Sequence, residues 1–151
     1  MTSGRLWLAA LCLLSTGCDD EGAPCTDCPA IEGRYALAFA EGTVPAACAS
    51  QGVGLPQGPL DLQRTGSQLT GSMEGVALQG SVYTNSSFLL LGSQGLDGGS
   101  DSLSFSGNYS AGNPDGGTQA QLTGSLTRGY TRAGSSTAPC SLVRSFTATR
   151  Q

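Results

Sequence analysis

Six cysteines and a complete absence of histidine and lysine frame the chemistry open to this 151-residue chain. Cys25-Thr26-Asp27-Cys28 has the spacing of a redox dithiol or of part of a zinc site. A redox dithiol sits at a helix start inside a βαβ unit, and the flanking sequence has no such pattern. Zinc needs four nitrogen or sulfur ligands. Without histidine only an all-cysteine set could form, and Cys48 and Cys140 lack a second close pair. Serine and cysteine have no imidazole base, and a Ser–Lys dyad has no lysine. Carboxylates remain, but Glu41, Glu74, Asp97, Asp101 and Asp115 all fall in or beside turn-forming residues, where solvated surface is the expected role. Asp97 and Asp101 flank Gly98-Gly99-Ser100 without the spacing of an EF-hand loop. The residue inventory therefore points away from an enzyme and calls for no metal and no cofactor.

Chemistry of another kind is suggested by the N-terminus. Arg5 precedes an unbroken apolar run of nine residues, Leu6 to Leu14. A bilayer-spanning helix needs about 20 apolar residues, so the run has the length of a signal-peptide core rather than of an anchor. Ser15-Thr16-Gly17-Cys18 follows and resembles the lipobox of bacterial lipoproteins, with Ser15 at the position where that motif commonly has leucine. The resemblance implies removal of residues 1–17, acylation of Cys18 and attachment to a membrane of the bacterial cell envelope, facing the periplasm or the exterior. The competing expectation is an ordinary secretory peptide that leaves Cys18 a plain thiol.

With Cys12 in the signal and Cys18 carrying lipid, Cys25, Cys28, Cys48 and Cys140 remain. An even number in an exported chain suggests two disulfides, with three possible connectivities. Cys48–Cys140 and Cys25–Cys28 are favoured, because Cys48 follows the first strand and Cys140 precedes the last, and closure of the sheet would make those strands neighbours. Residues 19–32 carry five acids, two prolines and no base, a composition suited to a solvated tether, so the lipidated tether is placed at 18–32 and the domain at 33–151. In 33–151 six acids balance six arginines, and no basic cluster exists to hold nucleic acid.

No window of the domain has the 3.6-residue period of an amphipathic helix, whereas strict alternation recurs. Tyr35, Leu37 and Phe39 share a face; so do Leu60 and Leu62, Leu69 and Met73, Val76, Leu78 and Val82, Leu103, Phe105 and Tyr109, Leu122 and Leu126, and Leu142, Phe146 and Ala148. Phe88 to Leu91 is continuous, which predicts a strand covered on both sides. Turn formers separate about eight strands, among them Thr65-Gly66-Ser67, Thr84-Asn85-Ser86 and Asp97-Gly98-Gly99, and the short spacing predicts an antiparallel meander. One pattern repeats four times, placing Gly71, Gly80, Gly107 and Gly124 between two inward apolar residues, as in Leu69-Thr70-Gly71-Ser72-Met73. Glycine inside a strand is unfavourable unless the backbone bends sharply or something large approaches, and a small barrel asks for both. The expected fold is all-β, a meander closing into a small barrel, with a β-sandwich as the alternative.

The repeated Leu-Thr-Gly-Ser hairpins ending in Ser145-Phe146-Thr147-Ala148-Thr149-Arg150 are similar to small exported bacterial β-barrel lipoproteins of unassigned function. More distantly, Gly33-Arg34-Tyr35 with an arginine in the last strand, Arg144 or Arg150, resembles the lipocalin-like calycins. There an arginine stacks on the aromatic ring of the first strand; Tyr35 stands here where those proteins have tryptophan. The resemblance implies a barrel-closing contact between Tyr35 and one of these arginines. Three functions fit: a non-catalytic interaction or structural module meeting an envelope protein, a binder of a small apolar ligand inside the barrel, and an inhibitor of an exported protease.

Overall fold

A computed structural model describes residues 22–113, 115–134 and 138–151. Eight strands follow one another: β1 (Gly33–Phe39), β2 (Pro59–Thr65), β3 (Gln68–Met73), β4 (Val76–Val82), β5 (Ser87–Leu96), β6 (Gly99–Ser110), β7 (Gln121–Arg132) and β8 (Cys140–Arg150). A single helical turn, α1 (Ala46–Ala49), lies between β1 and β2. Every strand pairs antiparallel with its neighbour in sequence, and β8 returns to β1 in a register running from Tyr35↔Arg150 to Phe39↔Phe146. The sheet is a closed barrel, which excludes the sandwich. Closure removes the unpaired edges that a sandwich would have to protect.

Alternation along each strand sorts side chains cleanly between interior and solvent. β6 buries Asp101, Leu103, Phe105 and Tyr109 and exposes Ser102, Ser106 and Asn108; β8 buries Cys140, Leu142, Phe146 and Ala148 and exposes Ser141, Val143 and Thr147. All eight strands contribute inward residues to one apolar cluster, in which Phe105 meets Phe146 edge to face at 5.6 Å. Eight strands enclose an interior just wide enough for such side chains to fill. The polarity is the reverse of a membrane-spanning barrel, which needs an apolar band on its outside. β5 departs from expectation here. Phe88 and Leu90 are buried, but Leu91 is 53% exposed, so the continuous apolar run is covered on one side only.

The acidic segment also behaves differently from its composition. Residues 22–32 lie across the end of the barrel formed by the β2–β3 and β4–β5 turns. Pro24 bridges to Tyr83, and Thr84 donates from both its amide and its hydroxyl to the Ala23 carbonyl, at 3.1 and 3.0 Å. Ile31 is fully buried as the bottom of the apolar core. The described part of the expected tether is thus a strap that belongs to the domain, because one isoleucine has apolar area to bury that outweighs the pull of neighbouring acids toward water. Glu32 is held at the surface by Arg64, whose Nε donates to it at 2.9 Å; this bond keeps the carboxyl below its usual range.

Candidate functional site

Two polar clusters cap the apolar interior, one at each end. At the strap end, the last turn of β8 brings Arg150 opposite Tyr35 of β1. The guanidinium carbon lies 5.5 Å from the Tyr35 ring centre and 5.9 Å from that of Tyr109. Arg150 Nη2 donates to the Tyr35 hydroxyl at 3.0 Å and to the Ala30 carbonyl, while that hydroxyl donates to the Ile31 carbonyl at 2.7 Å. The contact therefore clamps the strap onto the barrel floor. Burial pushes the Tyr35 phenol above its ordinary range, and the nearby guanidinium only partly opposes this. Arg144, the other arginine considered for this role, lies too far along β8. Its guanidinium donates instead to the carbonyls of Glu41 and Thr43, in the segment entering α1.

The opposite end is covered by a lid, residues 40–58, which includes α1. Cys48 on α1 is bonded to Cys140 at the start of β8, and both are buried with Leu142 in a small second core. The other disulfide, Cys25–Cys28, closes a four-residue loop within the strap. Cys18 lies outside the described residues.

Beneath the lid sits a cluster that composition alone did not reveal. Asp101 is 1% exposed, contrary to the expectation of a solvated turn acid. Arg128 of β7 forks onto it, Nε to Oδ1 at 3.0 Å and Nη2 to Oδ2 at 2.7 Å. The remaining Nη1 reaches Glu74 at 3.2 Å and the Gly54 carbonyl at 3.1 Å, and Glu74 in turn accepts from the Gln57 amide. Asp101 holds the Arg128 guanidinium above its ordinary range, against the effect of burial. Such bidentate pairs are among the stronger polar contacts of protein interiors. A signal for the pair was present. Asp101 lies two residues before inward Leu103 and Arg128 two residues after inward Leu126, so extending the alternation by one step points opposite charges into the same mouth. Glu41, Asp97 and Asp115 are exposed as expected.

Truncating Arg128 is expected to be costly, because Asp101 would stay buried without its partner. Arg128→Met should lower stability by about 3 kcal/mol in denaturant unfolding. The Asp101→Leu/Arg128→Met double variant should recover most of that loss, since it leaves no lone charge. A double variant as unstable as the sum of its singles would contradict the pairing.

The four repeated glycines face inward on β3, β4, β6 and β7. Gly107 and Gly124 are partners in register, flanked across the sheet by Phe88 and Phe146. A Cβ on either would come within about 2 Å of a carbonyl on the adjacent strand, 2.1 Å from Thr123 O and 2.0 Å from Ser106 O respectively. What these glycines admit is neighbouring backbone in a tightly coiled sheet; the flanking rings fill the space left above them.

Open depressions exist at both ends. One of about 410 Å³ is bordered by Leu55, Glu74, Asp101 and Arg128, and one of about 450 Å³ by Tyr109, Ala120, Arg150 and the 111–119 loop. Between them the axis of the barrel is occupied by Leu60, Leu78, Leu90, Leu103, Phe105 and Leu126. Among the described residues no three histidine, cysteine, aspartate or glutamate side chains gather at metal-holding distance. The architecture is that of a side-chain-filled, eight-stranded antiparallel barrel, strapped at one end and lidded at the other. No family model, curated protein or solved structure matches the chain.

Proposed function

We propose that this chain is a lipoprotein of the bacterial cell envelope, acylated at Cys18, whose barrel is a non-catalytic interaction module for another envelope protein. The observation that carries the second half is the packed interior. Ligand-binding pockets are concave and enclose most of their ligand, whereas here the barrel axis is filled by its own leucines and phenylalanines. That favours recognition through the hydroxyl-rich outer face and the loops over storage of an apolar molecule. The first half is supported by Arg5, the apolar run of residues 6–14 and Ser15-Thr16-Gly17-Cys18. Each buried acyl CH₂ contributes about 0.8 kcal/mol, so two or three chains hold a protein durably on a bilayer.

The test has two arms. Cells expressing the wild type should incorporate radioactive palmitate into this protein, and Cys18→Ala should abolish the label and move the protein out of the membrane pellet. An unlabelled wild type, or a variant that still sediments, rejects the anchor. In-cell crosslinking followed by purification should capture the same envelope protein in replicate preparations. Solvent extraction yielding a stoichiometric apolar compound would replace the interaction module with the ligand-binding alternative.

A further inference from the structure

We propose that the barrel stands on the bilayer by its strap end, with a phospholipid surface covering that rim and the lid end presented to partners. The inference rests on acylation of Cys18. Only three residues separate Cys18 from Gly22, and four backbone steps span at most about 14 Å. Gly22 lies beside Tyr83 and Asn85, where an added Cβ would be 3.3 Å from each, and the next residues, Ala23 and Pro24, are bound to Thr84 and Tyr83. The anchor therefore emerges beside the β4–β5 turn. β6 and β7, paired over twelve residues from Ser110↔Gln121 to Gly99↔Arg132, carry the chain from this rim to the lid. At about 3.3 Å per residue and the usual strand tilt, that places the lid roughly 30 Å away. A 14 Å leash cannot bring the lid end to the headgroups while the strap holds.

The turns of the strap rim suit this placement. The β2–β3 and β4–β5 turns, residues 65–67 and 84–86, hold only threonine, glycine, serine and asparagine, groups that hydrogen-bond readily in the headgroup layer. Exposed charge is balanced between the ends, with Asp27, Glu32 and Asp115 at the strap and Glu41, Glu74 and Asp97 at the lid, so the leash and not charge sets the orientation. Asp19, Asp20 and Glu21 lie between Cys18 and Gly22 in sequence, and burial of such carboxylates in lipid is costly.

The mature chain has no tryptophan, since Trp7 lies in the leader, so single tryptophans report without background. Thr65→Trp and Gln68→Trp mark the strap rim, Asp97→Trp the lid rim and Val143→Trp the outer wall; all four positions are exposed. Each variant, purified with its lipid, is placed in phosphatidylcholine vesicles containing phosphatidylcholine spin-labelled on the choline. The strap-rim probes should be quenched about threefold more than the other two, as expected for a ~14 Å leash against a barrel roughly 30 Å tall. Asp97→Trp or Val143→Trp quenched as strongly as both strap-rim probes would overturn the orientation. Intact-mass measurement of the same preparations separates the two ideas. Missing acyl mass removes the anchor and the orientation together, while acylated protein with even quenching removes the orientation alone.

Discussion

Replacing Cys48 and Cys140 together by alanine should lower unfolding stability by about 4 kcal/mol and the melting temperature by on the order of 15 °C. The bridge joins residues 92 apart in sequence, so its loop confines six of the eight strands, β2 to β7, in the unfolded chain. In the native state it fixes α1 to the head of β8, and both half-cystines are buried against Leu142, so its removal also opens a small cavity. The Cys25–Cys28 bridge gives the contrasting case. It closes a four-residue loop, and Ile31, the Ala23–Thr84 contacts and the Tyr35–Arg150 clamp already hold the strap. Cys25→Ala/Cys28→Ala should therefore cost far less, about 1 kcal/mol, because the loop-closure gain grows with loop length. Thermal unfolding of the two double variants side by side measures the difference. Equal losses would mean that loop length is not what governs the stabilisation.

How much of this could be read from the chain depends on whether the physics is local. Alternation is local, and it placed inward Tyr35, Leu62, Phe105 and Phe146 correctly because a strand has no choice but to send successive side chains to opposite faces. Short turns such as 65–67 and 97–99 made the meander legible in the same way. The disulfide pairing followed from closure, once the first and last strands were neighbours. What escaped was non-local. Asp101 continues the inward alternation of Leu103 and Phe105, but its partner emerges only when the register sets it diagonally from Arg128, with Leu103 opposite that arginine. Composition described the strap as a solvated leash because five acids outvote one isoleucine in any average, yet Ile31 and Cys25 both find an apolar floor to fill. The choice between Arg144 and Arg150 turned on six residues of register along β8, a distance that no periodicity encodes. Cys18 lies outside the described residues; its acylation is what the resemblance of Ser15-Thr16-Gly17-Cys18 to the lipobox implies.

The glycine repeat yields the largest effect expected of a single methyl group. In Gly80→Ala the new Cβ would lie 1.7 Å from the carbonyl oxygen of Leu89 and 2.7 Å from its carbon, both backbone atoms of β5. A rotamer change elsewhere gives no relief, because the obstruction is the neighbouring strand itself. β4 and β5 must separate locally, and their register, Gln79↔Leu91 to Val82↔Phe88, holds the barrel closed beside Leu78 and Leu90. The loss should exceed about 4 kcal/mol, at the upper end of what single substitutions cause and a large part of the stability of a domain this size. The expected result is a protein that aggregates or gives an unfolded spectrum at 37 °C. Gly95→Ala is the matched control. It lies on the adjacent strand β5 at negative φ, with no atom within 4 Å of the added Cβ, and should change stability by less than about 0.5 kcal/mol. If Gly80→Ala folds with near-native stability, the glycines are a matter of composition, and tight coiling of the sheet does not explain the repeat. If it fails while Gly95→Ala is silent, the inward glycines set the radius at which eight strands can close, and the filled barrel axis follows from the same constraint.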